Sequence, residues 1–303
     1  PGGKDYPALI GDDNLPFENA GVLKTTGFEL QAKWSDKLSN GFAYSVGVAL
    51  SDDKAEVLSY PSNPTNKIGD GVLYKGYTVG DIWGYETGGI LQESDFDGVG
   101  PNGKPLYHGA YFKGGQPYPG YVWYQDLDHD GVITSGLSTV DDPGDKKVIG
   151  NNAPRYRYNI TANFQYKGFD LDLMFQGVGK RDYWLKDVSS YWGGGAGSWE
   201  TYNQSWTPER TDAKFPMYGS GIGSYAQSGY LLDASYIKLK QVILGYTFPK
   251  ALIGKVGLEK LRLNIAAYNL FTLSDVPKYY DSDYLSDAYP PKRTFSVGIQ
   301  VGF

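Results

Sequence analysis

Three aspartates at alternate positions, Asp126, Asp128 and Asp130, are followed at once by Gly131. Oxygen ligands at this spacing, with a glycine for the sharp turn, are how an EF-hand-type loop begins to wrap Ca2+. The seventh position, Val132, would offer its backbone carbonyl, and Ile133 would be the apolar anchor. The twelfth position is Leu137, whose side chain cannot ligate, so the standard loop stops short; an acidic residue follows later, in Asp141-Asp142-Pro143-Gly144-Asp145. An Asp-rich solvated turn is the plain alternative. Against it, carboxylates held this close repel one another unless a cation intervenes. His129 is expected to face solvent, because hard Ca2+ prefers oxygen.

Flat aromatic faces make the second candidate site. Trp184, Tyr191, Trp192, Trp199, Tyr202 and Trp206 surround Gly193-Gly194-Gly195. Such rings can stack on sugars and cap a binding chamber, and Trp192, Trp199 and Trp206 are the candidate substrate contacts; packing within the loop or against a partner is the alternative. No enzyme constellation accompanies them. His108 and His129 are the two imidazoles, and there is no Cys. Neither imidazole sits in a motif with a plausible nucleophile, although plentiful carboxylate pairs leave glycosidase chemistry open on counting alone. Gly177-Val178-Gly179-Lys180 lacks the spacing and the following Ser/Thr of a phosphate-binding loop.

The scaffold that must carry these groups is written in the composition. The chain has 303 residues with 28 Lys+Arg against 34 Asp+Glu, a formal net charge of −6. That balance, without a basic run, gives no footprint for nucleic acid. The absence of Cys excludes a disulfide scaffold and a thiolate zinc site. Tyr 27 and Gly 41 suit twisted strands and turns rather than helices. No apolar run approaches the length of a membrane helix, but a transmembrane β-barrel, with strands only half apolar, stays open. The opening Pro1-Gly2-Gly3-Lys4 carries no initiator Met and no signal segment, so either such a segment was removed or the chain is an internal piece.

Period-2 alternation marks seven strands, near 27–35, 42–51, 155–166, 169–177, 235–247, 261–270 and 293–303. In the last, Phe295, Val297, Ile299, Val301 and Phe303 oppose Thr294, Ser296, Gly298, Gln300 and Gly302. The fifth reads cleanly at Val242, Leu244 and Tyr246 but loses phase at Ile237 and Leu239. Several segments reach the ~9–11 residues that a tilted strand needs to cross a bilayer. The alternation fits a barrel with lipid outside and water inside, or a soluble sandwich. The connections separate these cases. They are residues 36–41, 52–154, 167–168, 178–234, 248–260 and 271–292, so short and long alternate, as periplasmic turns and extracellular loops do. Residues 52–154 are a long extracellular excursion with little periodicity. Seven strands, an odd number, cannot close an up-and-down barrel with its termini on one side, so others are expected to complete it.

Several motifs occur in order along nearly the whole chain. They are Asn19-Ala20-Gly21, Thr26-Gly27-Phe28-Glu29-Leu30, Gly80-Asp81-Ile82-Trp83-Gly84-Tyr85, Asp126–Gly131, Val148-Ile149-Gly150-Asn151, Ser235–Lys240, Leu244–Pro249, Tyr268–Thr272 and Tyr289–Phe295. This set resembles the C-terminal portion of SusC/RagA-type TonB-dependent transporters. The resemblance implies an all-β fold: a transmembrane antiparallel β-barrel of about 22 strands with a plugged lumen, of which seven would be the last third. It implies uptake of a glycan or a peptide across the bacterial outer membrane. The implied partners are TonB, through an N-terminal part beyond this chain, and a SusD-like surface lipoprotein as a lid. It also places an acid five residues before the Gly of the Ile-Gly pair, here Asp145 before Gly150, as a further Ca2+ ligand beside Asp126, Asp128, Asp130 and Val132. A surface glycan-binding or adhesion barrel without transport, and a soluble carbohydrate-active enzyme, are the competing expectations.

Overall fold

The structure, a computed structural model, describes residues 2–3, 17–18, 21–184, 202–220, 225–276, 281–285 and 291–303. Its largest element is one seven-stranded sheet: β1 Val22–Lys37, β2 Ala43–Ser59, β3 Arg155–Tyr166, β4 Phe169–Lys180, β5 Tyr236–Thr247, β6 Lys260–Leu273 and β7 Thr294–Gly302. Each strand lies beside its neighbour in the chain, and the registered pairs from β2 to β7 are antiparallel. The sheet is therefore a meander, and its long connections all join strand ends on one rim. The tightest turn on the other rim is Lys167-Gly168, with φ of 47° and 88°. Both positive values fit the I′ geometry that matches strand twist, and glycine removes the steric cost at the second position. A Cβ there would also lie 2.7 Å from the Thr247 carbonyl oxygen.

Several strands outrun their periodic segments. β2 continues to Ser59, although alternation stops near residue 51. Asp52, Asp53, Lys54 and Glu56 put charges on both phases there, so the pattern vanishes while the ladder persists. The lost phase in β5 has a different cause. Register shifts between Leu239 and Gln241 against β6, and between Met174 and Phe175 on β4. A β-bulge inserts a residue and moves the apolar phase from odd to even numbers.

Registry shows what each face carries. One row across the sheet runs Tyr44, Phe164, Leu171, Leu244, Ile265, Val297. The neighbouring row on the other face runs Ser45, Asn163, Asp172, Ile243, Ala266, Ser296. The apolar face is not covered: Leu30, Val48, Phe169, Leu244, Ile265, Phe295, Val297 and Ile299 are all exposed. In a protein surrounded by water an exposed apolar patch of this extent is abnormal.

The chain divides into two compact units, and the sheet lies in one of them except for residues 22–25 of β1 and 55–59 of β2. The other unites residues 55–153 with 183–232 and 1–25. The stretch expected as a loop excursion therefore has its own interior. Tyr85, Val122, Tyr124 and Ile133 form one buried cluster, and Val57, Ile68, Tyr74 and Tyr77 another. Aromatic contacts, rather than periodic strands, assemble it, for example Tyr85 with Phe112 and with Tyr124, both at 5.2 Å. Its neck is closed by short pairings. Asp81–Tyr85 pairs antiparallel with Lys146–Asn151, and the Asn152 amide donates to the Gly80 carbonyl at 2.8 Å. Below that, the Val57 amide donates to the Tyr77 carbonyl at 2.9 Å.

Candidate functional site

The aspartate loop folds on its own amides. Asp126 accepts from the His129 amide at 2.7 Å and from the Gly131 amide at 2.8 Å. Asp128 accepts from Asp130, and Asp130 from the Val132 amide at 2.7 Å. His129 and Gly131 take the positive φ this tight winding requires, 62° and 85°. One oxygen from each of Asp126, Asp128 and Asp130 can be chosen so that all three lie within 4.8 Å of one another. Desolvation opposes the charge of Asp126, but the Gly131 and His129 amides outweigh it and hold its carboxyl below the usual range. For Asp128 the Asp130 amide favours the charge, while desolvation and the charges of Asp145 and Asp130 prevail and push its carboxyl up. The loop thus gathers negative charge that a cation would relieve.

Asp145 has another place. It is fully buried, accepting from the Leu127 amide on one oxygen and the Thr134 amide on the other, each at 2.7 Å. It staples the two ends of the loop and is outside the three-carboxylate group. Val132 and Ile133 pair with Tyr111 and Phe112, and Ile133 is buried in the aromatic cluster. Among the aromatic candidates, Trp206 is 3% exposed, with its indole N–H donated to Gln92 at 2.9 Å and its ring against Gly120. An indole so enclosed packs the unit's interior and presents no free face to a ligand. Trp192 and Trp199 lie outside the described residues.

The polar face of the sheet holds a second constellation. Arg262 on β6 reaches across Gly245 on β5 to Asp170 on β4, with Nε donating to Oδ1 at 3.1 Å. A Cβ at Gly245 would stand 2.4 Å from Nη2 and 2.5 Å from Asp170 Oδ2, so only glycine leaves the passage open. Nearer the rim of the long connections is a groove of about 1000 Å3, bounded by Gln31, Asn159, Gln176, Lys240, Asp283 and Tyr284. Its far side is the short segment 281–285, bound to β5 by charge. Lys238 Nζ lies 2.8 Å from Asp281 Oδ2 and 2.8 Å from Asp283 Oδ2, and Lys240 Nζ lies 3.1 Å from the same Asp283 oxygen. Lys238 is almost wholly buried, with Nζ 5.1 Å from the Tyr236 ring centre. Arg181 donates to the Asp283 carbonyl at 3.2 Å. Burial works against the charge of Asp283, but bonds from Lys238, Tyr236 and Lys240 outweigh it and hold its carboxyl below the usual range.

Sequence reasoning missed this cluster. Its signal was present in two matched patterns, Lys238-Leu239-Lys240 and Asp281-Ser282-Asp283. The bulge at 239–241 hid the first by disturbing the alternation around it.

No family model matches the chain. Curated relatives do. TonB-dependent receptor P3 of Formosa agariphila is 27% identical over 315 residues, which is 95% of this chain and 29% of that protein. TonB-dependent receptor SusC of Bacteroides thetaiotaomicron is 26% identical over 198 residues, 60% of this chain and 19% of that one. Among solved structures, that of the RagAB peptide transporter superimposes with a TM-score of 0.72 at 18% identity, covering 98% of this chain and 31% of that chain. The same importer in its closed-closed state gives 0.69 at 17% identity. The chain spans less than a third of the length of these relatives.

Proposed function

We propose that this chain, a portion of a SusC/RagA-type TonB-dependent receptor, is barrel wall and external loop in a transporter that takes up a nutrient across the bacterial outer membrane. In this reading the seven strands belong to the C-terminal part of a closed barrel, with TonB supplying energy and a SusD-like lipoprotein covering the outer mouth. The carrying observation is the two-sided sheet: an uncovered apolar face backed by a face of Asn, Gln, Asp, Arg and Lys. A soluble sheet hides its apolar face in a core. A barrel wall turns that face to lipid and the polar face to a wet lumen. The chain has no native Cys, so single cysteines in the complete receptor test this directly. Thr161→Cys should react with small polar reagents that enter the barrel and resist bulky external ones, and Val297→Cys should be reached by lipid-soluble probes alone. Free reaction of Cys at 161 with bulky probes would count against the assignment.

The aspartate loop is read as a structural Ca2+ site on the extracellular side. Asp126, Asp128, Asp130 and the Val132 carbonyl would hold the ion, and Asp145 would brace the loop behind them. The gathered oxygens and the raised Asp128 carboxyl support this. Chelation should then expose residues 126–145 to protease while the sheet stays intact. Equal resistance with and without chelator would remove the ion from the account.

A further inference from the structure

Two of the cations lining the groove beside segment 281–285 are answered by carboxylates of the chain, while Glu29 and Arg181 line it as well. Arg157, which lines it, is paired with Asp53. Lys240, on the same wall, is paired with Asp283. Around them stand Gln31, Asn159 and Gln176, whose amides both donate and accept, and Tyr284, which is 73% exposed. Amides match ligand groups that also donate and accept, and an exposed ring offers an apolar face. The arrangement of the two lysines is asymmetric. Lys238 is deep and keeps Asp281 whatever happens to Asp283, whereas Lys240 is shallower and is held by Asp283.

We propose that Asp283 is a specificity-determining residue of this groove: by neutralising Lys240 it tunes the groove to uncharged, hydroxyl-rich ligands and against polyanions. This rests on the reading of the polar face as the lumen. Asp283 carries out the screening from a segment that folds back onto the wall, so selectivity here is set by the loop rather than by the strand that supplies the cation. The isosteric change Asp283→Asn leaves the Lys238–Asp281 pair in place and unmasks Lys240.

The test uses the complete receptor in detergent, with a heparin-derived sulfated hexasaccharide as probe and its desulfated, N-acetylated counterpart as control. The wild type should bind the sulfated probe weakly. Asp283→Asn should bind it about tenfold more tightly at low ionic strength and lose the gain as salt screens the new charge. Asp283→Asn combined with Lys240→Gln should return to the wild-type level, and Lys240→Gln alone should show no gain. Absence of a gain in Asp283→Asn, with segment 281–285 as protease-resistant as in the wild type, overturns the proposal. So does a gain that survives Lys240→Gln. The labelling of Cys at 161 in the same receptors keeps the outcomes apart: failure of the anion test with normal labelling sinks the role of Asp283, whereas labelling by bulky external probes sinks the lumen itself.

Discussion

Val297→Arg separates a sheet in lipid from one in water. Val297 is the fourth of nine residues in β7 and is 77% exposed. It stands one residue from the strand centre, so at about 3.3 Å per residue on a tilted strand it is roughly 2–3 Å from the midplane. The apolar band of an outer-membrane barrel is about 25 Å tall, which leaves ~10 Å of hydrocarbon on the nearer side and ~15 Å on the other. An arginine so far from both interfaces should cost about 3–4 kcal/mol, the upper part of the ~2–4 kcal/mol range for the midplane. Ser296→Arg, one residue away on the polar face, should cost less than about 1 kcal/mol because its side chain enters water. The assay is urea unfolding of the receptor refolded into lipid vesicles, with band-shift on heating as a second readout. In water both variants would be near neutral, since both positions are exposed in this chain. A Val297→Arg change within about 0.5 kcal/mol of wild type would therefore refute the lipid-facing assignment, and equal large costs at both positions would refute a wet lumen.

Three other outcomes are expected. Asp145→Ala should loosen the aspartate loop by about 2–4 kcal/mol, since two charge-assisted hydrogen bonds to a buried carboxylate are lost; faster hydrogen exchange at the Leu127 and Thr134 amides measures it. Gly245→Val should part Arg262 from Asp170 and cost about 1–3 kcal/mol for a half-buried pair; adding Asp170→Asn should then cost little more, and full additivity would count against the bridge. Acid should release segment 281–285 only late. Asp283 is held below its ordinary value of 3.8, so its contribution is complete above that value and fades as pH falls through the lower folded one; pepsin cleavage there already at pH 5 would contradict the cause assigned.

What the sequence revealed depended on whether a signal was local. β7 was legible because its four apolar residues, Phe295, Val297, Ile299 and Val301, alternate without a break. The C-terminal half of β2 was not, because Asp52, Asp53, Lys54 and Glu56 erase the contrast between faces that periodicity measures. The bulge in β5 showed only as a phase error, whose meaning needed the register of β4 and β6. The aspartate spacing showed that Asp126, Asp128 and Asp130 stand close together, but Asp145 could not be placed without knowing that its oxygens are taken by the Leu127 and Thr134 amides. Trp206 looked like a ligand platform by type alone, and burial reassigns it to packing. The cluster of Lys238, Lys240, Asp281 and Asp283 joins residues over forty positions apart, so each pattern is visible in the sequence while their pairing is not.

The closed neck of the excursion bears on how the wall can assemble at all. β2 and β3 must pair although the chain between them runs from residue 60 to residue 154. For an open loop of that length the closure entropy exceeds that of a ten-residue loop by roughly 2 kcal/mol. Once Asp81–Tyr85 has paired with Lys146–Asn151, and residues 55–57 with 76–79, the two ends are already side by side, and the wall strands see only a short connector. The neck pairings then favour early delivery of β3 to β2, ahead of the unit's full interior, which also takes residues 183–232 from after β4. Changes of length at exposed turns of this stretch, such as the one at Asn102-Gly103, leave the hydrogen bonds between β2 and β3 untouched, so that surface can diverge while the paired strands keep their register.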